Sequence, residues 1–124
     1  MKLYCGIDLH SKNSVIVILD EADKVVYQKR LNNDLASILE QLSIYKDKIT
    51  AIAIKSTFNW YWLVDGLMEA GYTVKLVNTT AVQTHSGLKH TDDKDDARWL
   101  AHLLRLKVLP AGYIYPEEER VITY

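Results

Sequence analysis

Residues 2–9 read Lys-Leu-Tyr-Cys-Gly-Ile-Asp-Leu, residues 14–19 read Ser-Val-Ile-Val-Ile-Leu, and residues 24–31 read Lys-Val-Val-Tyr-Gln-Lys-Arg-Leu. Each run is short and rich in β-branched or aromatic residues, the composition of a strand. The connection Asp20-Glu21-Ala22-Asp23 is polar and brief enough for a hairpin. The first thirty residues therefore read as three antiparallel strands, and the rest of the chain must be attached to that sheet.

Working outward, Leu35, Ile38, Leu39, Leu42 and Tyr45 follow the i, i+3, i+4, i+7, i+10 rhythm of an amphipathic helix, with Asn33 or Asp34 placed to cap it. Ile49 to Ile54 is apolar except for Thr50. It is too short for a helix and fits a strand covered on both faces. Residues 58–70 read as a second helix closed by Gly71 at C′. Residues 72–77 read as a fifth strand and 78–91 show no clear pattern. A last helix spans about Asp92 to Leu106, with Ala97, Leu100, Ala101 and Leu104 as its inward face and Pro110 beyond its end. Strands separated by helices favour parallel pairing with right-handed crossovers. The expectation is an α/β domain over residues 1–124, with a mixed five-stranded sheet flanked by helices.

The chain has 124 residues, 48% hydrophobic and 25% charged, which fits one compact domain with a real core. A net charge of −1 means that the molecule as a whole does not attract nucleic acid electrostatically, so any basic surface must be local. The lone Cys5 excludes an intrachain disulfide and fits a reducing compartment. No apolar stretch approaches the roughly 20 residues of a membrane span, and the N-terminus lacks the pattern of a signal peptide. A cytoplasmic protein without a membrane partner is expected.

Chemistry in α/β sheets collects at the strand ends. Asp8 ends the first strand and Lys55 ends the fourth, so if these strands are neighbours the two side chains meet at one edge. Asp93 and Asp96, three apart in the first turn of the last helix, share the face that continues into Ala97, Leu100 and Leu104, and so point toward the sheet. Converging carboxylates stay ionised together only around a cation, and Mg²⁺ or Mn²⁺ suits hard oxygen ligands. A pair of such ions can hydrolyse a phosphodiester. Two plainer readings stand beside this one. Acids in a first helical turn complement the helix dipole, and Gly6-x-Asp8 is a common strand-end pattern. Lys55 is either a surface lysine or an ammonium in a ligand's place, able to pair with Asp8. His10, two residues past Asp8, reads as a loop histidine that can reach the site, and His90 precedes the acidic pair. Trp60, Tyr61 and Trp62 are either a stacking surface for bases or core packing at a helix start.

Five blocks in order resemble one family: Gly-Ile-Asp-Leu-His at 6–10, Ser-Thr-Phe-Asn-Trp-Tyr-Trp-Leu at 56–63, Gly-Tyr-x-Val-x-Leu-Val-Asn at 71–78, Lys-His-Thr-Asp-Asp-Lys-Asp-Asp-Ala-Arg-Trp-Leu-Ala at 89–101, and Leu109-Pro110. The chain resembles the DEDD transposases of bacterial insertion sequences, in the insertion-sequence-110 group. The resemblance implies a RuvC-like domain of the ribonuclease H fold and Mg²⁺-dependent DNA strand cleavage in transposition. It places catalytic and metal-binding acids at Asp8, position 55, Asp93 and Asp96. It also implies DNA and a structured guide RNA as partners, homo-oligomeric assembly, and a further domain carrying a serine nucleophile.

Two departures follow from the same resemblance. The family's glutamate before Ser56-Thr57 is Lys55 here. At an effective dielectric near 20, a like charge a few ångströms away costs about 4 kcal/mol, so metal binding should weaken severely. The chain also stops shortly after Glu117-Glu118-Glu119-Arg120, so a truncated, inactive form is expected. The alternative is a non-catalytic nucleic-acid-binding or oligomerisation module on the same fold, to which Lys55, Lys89 and Lys94 point.

Overall fold

β1 (Leu3–Leu9) is buried at every position because both its edges are paired and both its faces are covered. The computed structural model describes residues 1–55, 60–77, 93–107 and 111–112, with the side chains of all of these except 93–95 and 111–112. After β1 come β2 (Asn13–Leu19), β3 (Val25–Asn32), α1 (Leu35–Ser43), β4 (Ile49–Lys55), α2 (Tyr61–Glu69), β5 (Val74–Val77), α3 (Asp93–Leu106) and β6 (Ala111–Gly112). The sheet order is β3-β2-β1-β4-β5-β6. The first three strands are antiparallel, β4 and β5 join in parallel, and β6 returns antiparallel.

This is the expected α/β architecture with its mixed sheet of three antiparallel strands followed by parallel ones. The two-residue β6 adds a sixth strand that sequence patterning does not reveal, since two residues carry no periodicity. The fifth strand begins at Val74 rather than residue 72, because Tyr72 is still engaged in closing α2. Gly71 adopts φ +98°. Its N–H donates to Met68 O and that of Tyr72 to Leu67 O, the paired bonds of a Schellman stop. Asp34 sits at the N-cap of α1, but its side chain makes no capping bond to the backbone; it accepts from the Ser37 hydroxyl instead. Residues 58–59, 78–91 and Asp92, covered by the readings above, lie outside the described residues.

The strand alternation sorts side chains onto two faces. On one, Cys5, Ile7, Ile16, Ile18, Ile52 and Ile54 meet Ile38 and Leu42 of α1 and Leu63, Val64 and Leu67 of α2. Trp60 and Trp62 pack against this cluster, half-buried, which favours the core-packing reading of the aromatic run. On the other face, Tyr4, Ala51, Ala53 and Val77 meet Leu100 and Leu104 of α3, while Val15, Val17 and Leu19 meet Ala97 and Ala101. All four residues named as the inward face of the last helix are buried.

At the centre of the second face the residues are small because the helix backbone rests directly on Gly6. A Cβ built on Gly6 would collide with the carbonyl oxygen of Ala97 and lie 2.9 Å from the amide nitrogen of Ala101. The glycine is thus needed for close approach, not for backbone freedom. Since Leu104 packs near Tyr4 while Ala97 lies over Gly6, α3 runs antiparallel to β1. Its N-terminus stands over the C-terminal end of the strand.

Candidate functional site

The contact of Gly6 with Ala97 explains where the acids go. Asp8 is two residues beyond Gly6 on the same face of β1, and Asp96 immediately precedes Ala97, so both are delivered to one edge by the same close packing. Lys55 enters from the other side: β1 and β4 pair in parallel with Asp8 aligned to Lys55. By alternation Lys55 shares the face of Ala51 and Ala53, which is the face of Asp8. The expectation that these two strands are neighbours holds, and the edge brings together Asp8, Lys55 and Asp96.

Lys55 Nζ donates to Asp96 Oδ2 at 3.0 Å, with the two side chains only 23% and 16% exposed. The sequence leaves Lys55 either at the surface or paired with Asp8. Its described partner is instead the helix carboxylate, because the long lysine stem extends from the strand end up to the first turn of α3. Asp8 is almost fully buried, and His10 Nε2 stands 3.2 Å from its Oδ2. The histidine is therefore a loop residue and a site residue at once. Its loop is held by Asn33, whose amide donates to His10 O, and by buried Ser14, whose hydroxyl donates to Asn33 Oδ1 at 2.7 Å. Nothing in the sequence marks this brace, because its members are 19 and 23 residues apart.

Asp93 opens α3, three residues before Asp96 as the spacing required, but its side chain lies outside the described residues, as does His90. Among the described residues no three His, Cys, Asp or Glu side chains are grouped so as to hold a metal ion. Asp8 and Asp96 offer the hard oxygens that Mg²⁺ prefers. The Lys55 ammonium already donates to one of them and puts a positive charge beside it. Among the described side chains the Asp96 carboxylate is thus answered by an ammonium rather than left free for a metal ion.

The far end of α3 is anchored separately. Asp23, in the β2–β3 turn at φ +65°, accepts from Arg105 Nε at 3.1 Å, stands 2.8 Å from His102 Nδ1, and has Arg98 at 3.9 Å. Burial pushes the Asp23 carboxyl up, but the hydrogen bonds and charges of His102 and Arg105 outweigh this and hold it below the usual carboxylate range. No sequence motif marks this clamp. The only local hint was an aspartate in a tight turn, a residue type that tolerates left-handed backbone. No helix of the described residues is long and apolar enough to cross a membrane.

A family model of DEDD transposases of the IS110 type, described as "Transposase", matches residues 5–121. A comparison with curated proteins gives no match. Among solved structures, the fold is similar to that of Thermus thermophilus RuvC in complex with a Holliday junction substrate. The TM-score is 0.66 at 14% identity, covering 90% of this chain and all of that one. A ROK-family transcriptional regulator, a homolog of the E. coli MLC protein, aligns at TM-score 0.49 and 15% identity over 66% of this chain and 29% of its own. The second likeness is too distant to carry an argument; the first establishes a RuvC-like fold.

Proposed function

The chain belongs to the DEDD transposases of the IS110 group, and from that premise we propose that it is the N-terminal RuvC-like domain of a bacterial insertion-sequence transposase whose cutting centre is blocked by its own lysine. In this reading the lineage is that of Mg²⁺-dependent DNA strand cleavage, with Asp8, Asp93 and Asp96 as the acids, and this chain engages DNA without cutting it. DNA is the principal partner, as it is for the RuvC relative, which is bound to a Holliday junction. A structured guide RNA, self-association and a cytoplasmic location belong to the same proposal.

The observation that carries the reading is the 3.0 Å contact of Lys55 Nζ with Asp96 Oδ2 at the strand position aligned with Asp8. One carboxylate of the pocket is thereby neutralised from within. The partial burial of both partners strengthens the contact relative to a surface pair.

A nicking assay on branched and linear DNA tests the proposal, comparing the wild type with Lys55→Glu in Mg²⁺ and Mn²⁺. The wild type is expected to leave DNA intact, and the acidic variant to recover divalent-ion-dependent nicking. Metal-dependent cleavage by the wild type that Asp8→Asn abolishes would refute the block. A Lys55→Glu variant that is folded yet inert in both metals would refute the catalytic lineage of this pocket and leave the non-catalytic binding module, which the same lysine favours.

A further inference from the structure

At the end of the sheet opposite Asp8, α3, β4 and β5 leave a cavity of about 330 Å³. Three lysines line it, each from a different part of the chain: Lys2 before β1, Lys75 of β5 and Lys107 after α3. All three are exposed, and none is in an ion pair among the described residues. Among the described residues no carboxylate lines the cavity. Glu21, beside Lys2, accepts from that residue's backbone N–H at 2.6 Å and so answers the amide. In a chain of net charge −1, three ammonium groups about one hollow form a concentrated positive region.

Lys107 has a local reason to be where it is, since a cation complements the carbonyl end of the preceding helix. Lys2 and Lys75 have none. The sheet alternation that puts Tyr4 and Ala53 under α3 also turns Lys75 to that side, because it is aligned with Ala53. Below the lysines lie the buried Tyr4 and Leu104, and Thr50 adds a hydroxyl at the rim. The arrangement offers several cationic donors above a partly apolar floor, at the small end of the volume range of ligand sites.

We propose that this cavity is a phosphate-binding site. The phosphate comes either from a nucleic-acid backbone or from a free phosphorylated small molecule. Asp8 is four residues along β1 from Tyr4, about 13 Å at 3.3 Å per residue, roughly four backbone steps of a stacked strand. A strand held at the cavity can therefore pass along α3 to the acidic edge. The proposal does not depend on Lys55 or on any metal.

The test compares the wild type, the triple variant Lys2→Gln/Lys75→Gln/Lys107→Gln, and a charge-matched control, Lys24→Gln/Lys46→Gln/Lys48→Gln. Fluorescence anisotropy with labelled single- and double-stranded oligonucleotides forms one arm. Amide chemical-shift titration with inorganic phosphate forms the other and needs no variant. If the backbone is the ligand, the cavity variant binds oligonucleotide at least tenfold more weakly. Its log K against log salt slope flattens by roughly two to three, and the control changes less than twofold. If a free phosphate compound is the ligand, inorganic phosphate shifts the amides of Tyr4, Thr50 and Lys75 saturably while oligonucleotide binding is equal in both variants. Equal oligonucleotide binding in both variants with no saturable phosphate shift overturns the site. Loss of oligonucleotide binding in every form, the wild type included, counts instead against the DNA-binding reading above.

Discussion

The two faces of the sheet are packed by different means, and the contrast shows where the fold puts precision. The face under α1 and α2 is filled by large aliphatic side chains, Ile7, Ile16, Ile18, Ile52, Ile54, Leu63 and Leu67. There the elements meet through side chains, not through backbone. The face under α3 is floored by Gly6, Ala51 and Ala53 and roofed by Ala97 and Ala101. At Gly6 strand and helix backbones meet with no side chain between them and so fix each other's position. The polar chemistry, Asp8, Lys55 and Asp96, is all on that second face. The first face stabilises the domain; the second places groups.

The sharpest way to break the contrast is to alter one residue on each face. Ile52→Ala should cost about 4 kcal/mol in urea unfolding, since it leaves a cavity at a fully buried site, while the indole N–H NMR signal of Trp99 on α3 stays unchanged. Gly6→Ala adds a single methyl yet should cost about 3 kcal/mol, because backbone meets backbone and no rotamer relieves it. It should also change the Trp99 signal, as the helix is lifted. Equal spectral effects from the two variants would mean that the faces do not differ in stiffness.

Weaker effects sharpen the picture at the far end of α3. Asp23→Asn should cost about 1 kcal/mol at neutral pH, a value kept small because the site is partly open to solvent. The folded carboxyl titrates below its ordinary 3.8, so its contribution is present above that pH and is lost as the pH falls through the lower folded value. The gap between wild type and variant, followed by thermal unfolding, should therefore close below pH 3.8. A gap that persists in acid would show that the clamp is not ionic. The smallest response belongs to Cys5. Burial pushes its thiol up, so it should resist alkylation in the native state and react only on unfolding. Rapid native labelling, read by mass spectrometry, would mean that the α1/α2 face opens locally.

Much of this organisation is legible in the sequence, for reasons that differ by element. β1, β2 and β4 are apolar runs bounded by turn residues, and α1 and α3 carry a helical stripe, so local pattern suffices to find them. Gly6-x-Asp8 and the Asp93, Asp96 pair are also visible, but their meaning depends on strand order. That order follows from the preference for right-handed parallel crossovers rather than from any single residue. The contacts that finish the site are not legible. His10 reaches Asp8 only because Asn33, from the end of β3, braces its loop. Lys55 selects Asp96, 41 residues away, over the aspartate aligned with it. Asp23 finds His102 and Arg105 across about eighty residues of chain. Long-range polar pairing leaves no periodic trace, so the sequence shows the groups and the coordinates show the partners.

The most direct test is isothermal titration of Mn²⁺ into the wild type and Lys55→Glu at equal pH and ionic strength. Removing an ammonium at this range relieves a repulsion of about 4 kcal/mol at an effective dielectric of 20. The account therefore expects no measurable binding in the wild type and clear binding in the variant, lost again in Lys55→Glu/Asp8→Asn. Mn²⁺ binding of similar strength in the wild type and the single variant would contradict it.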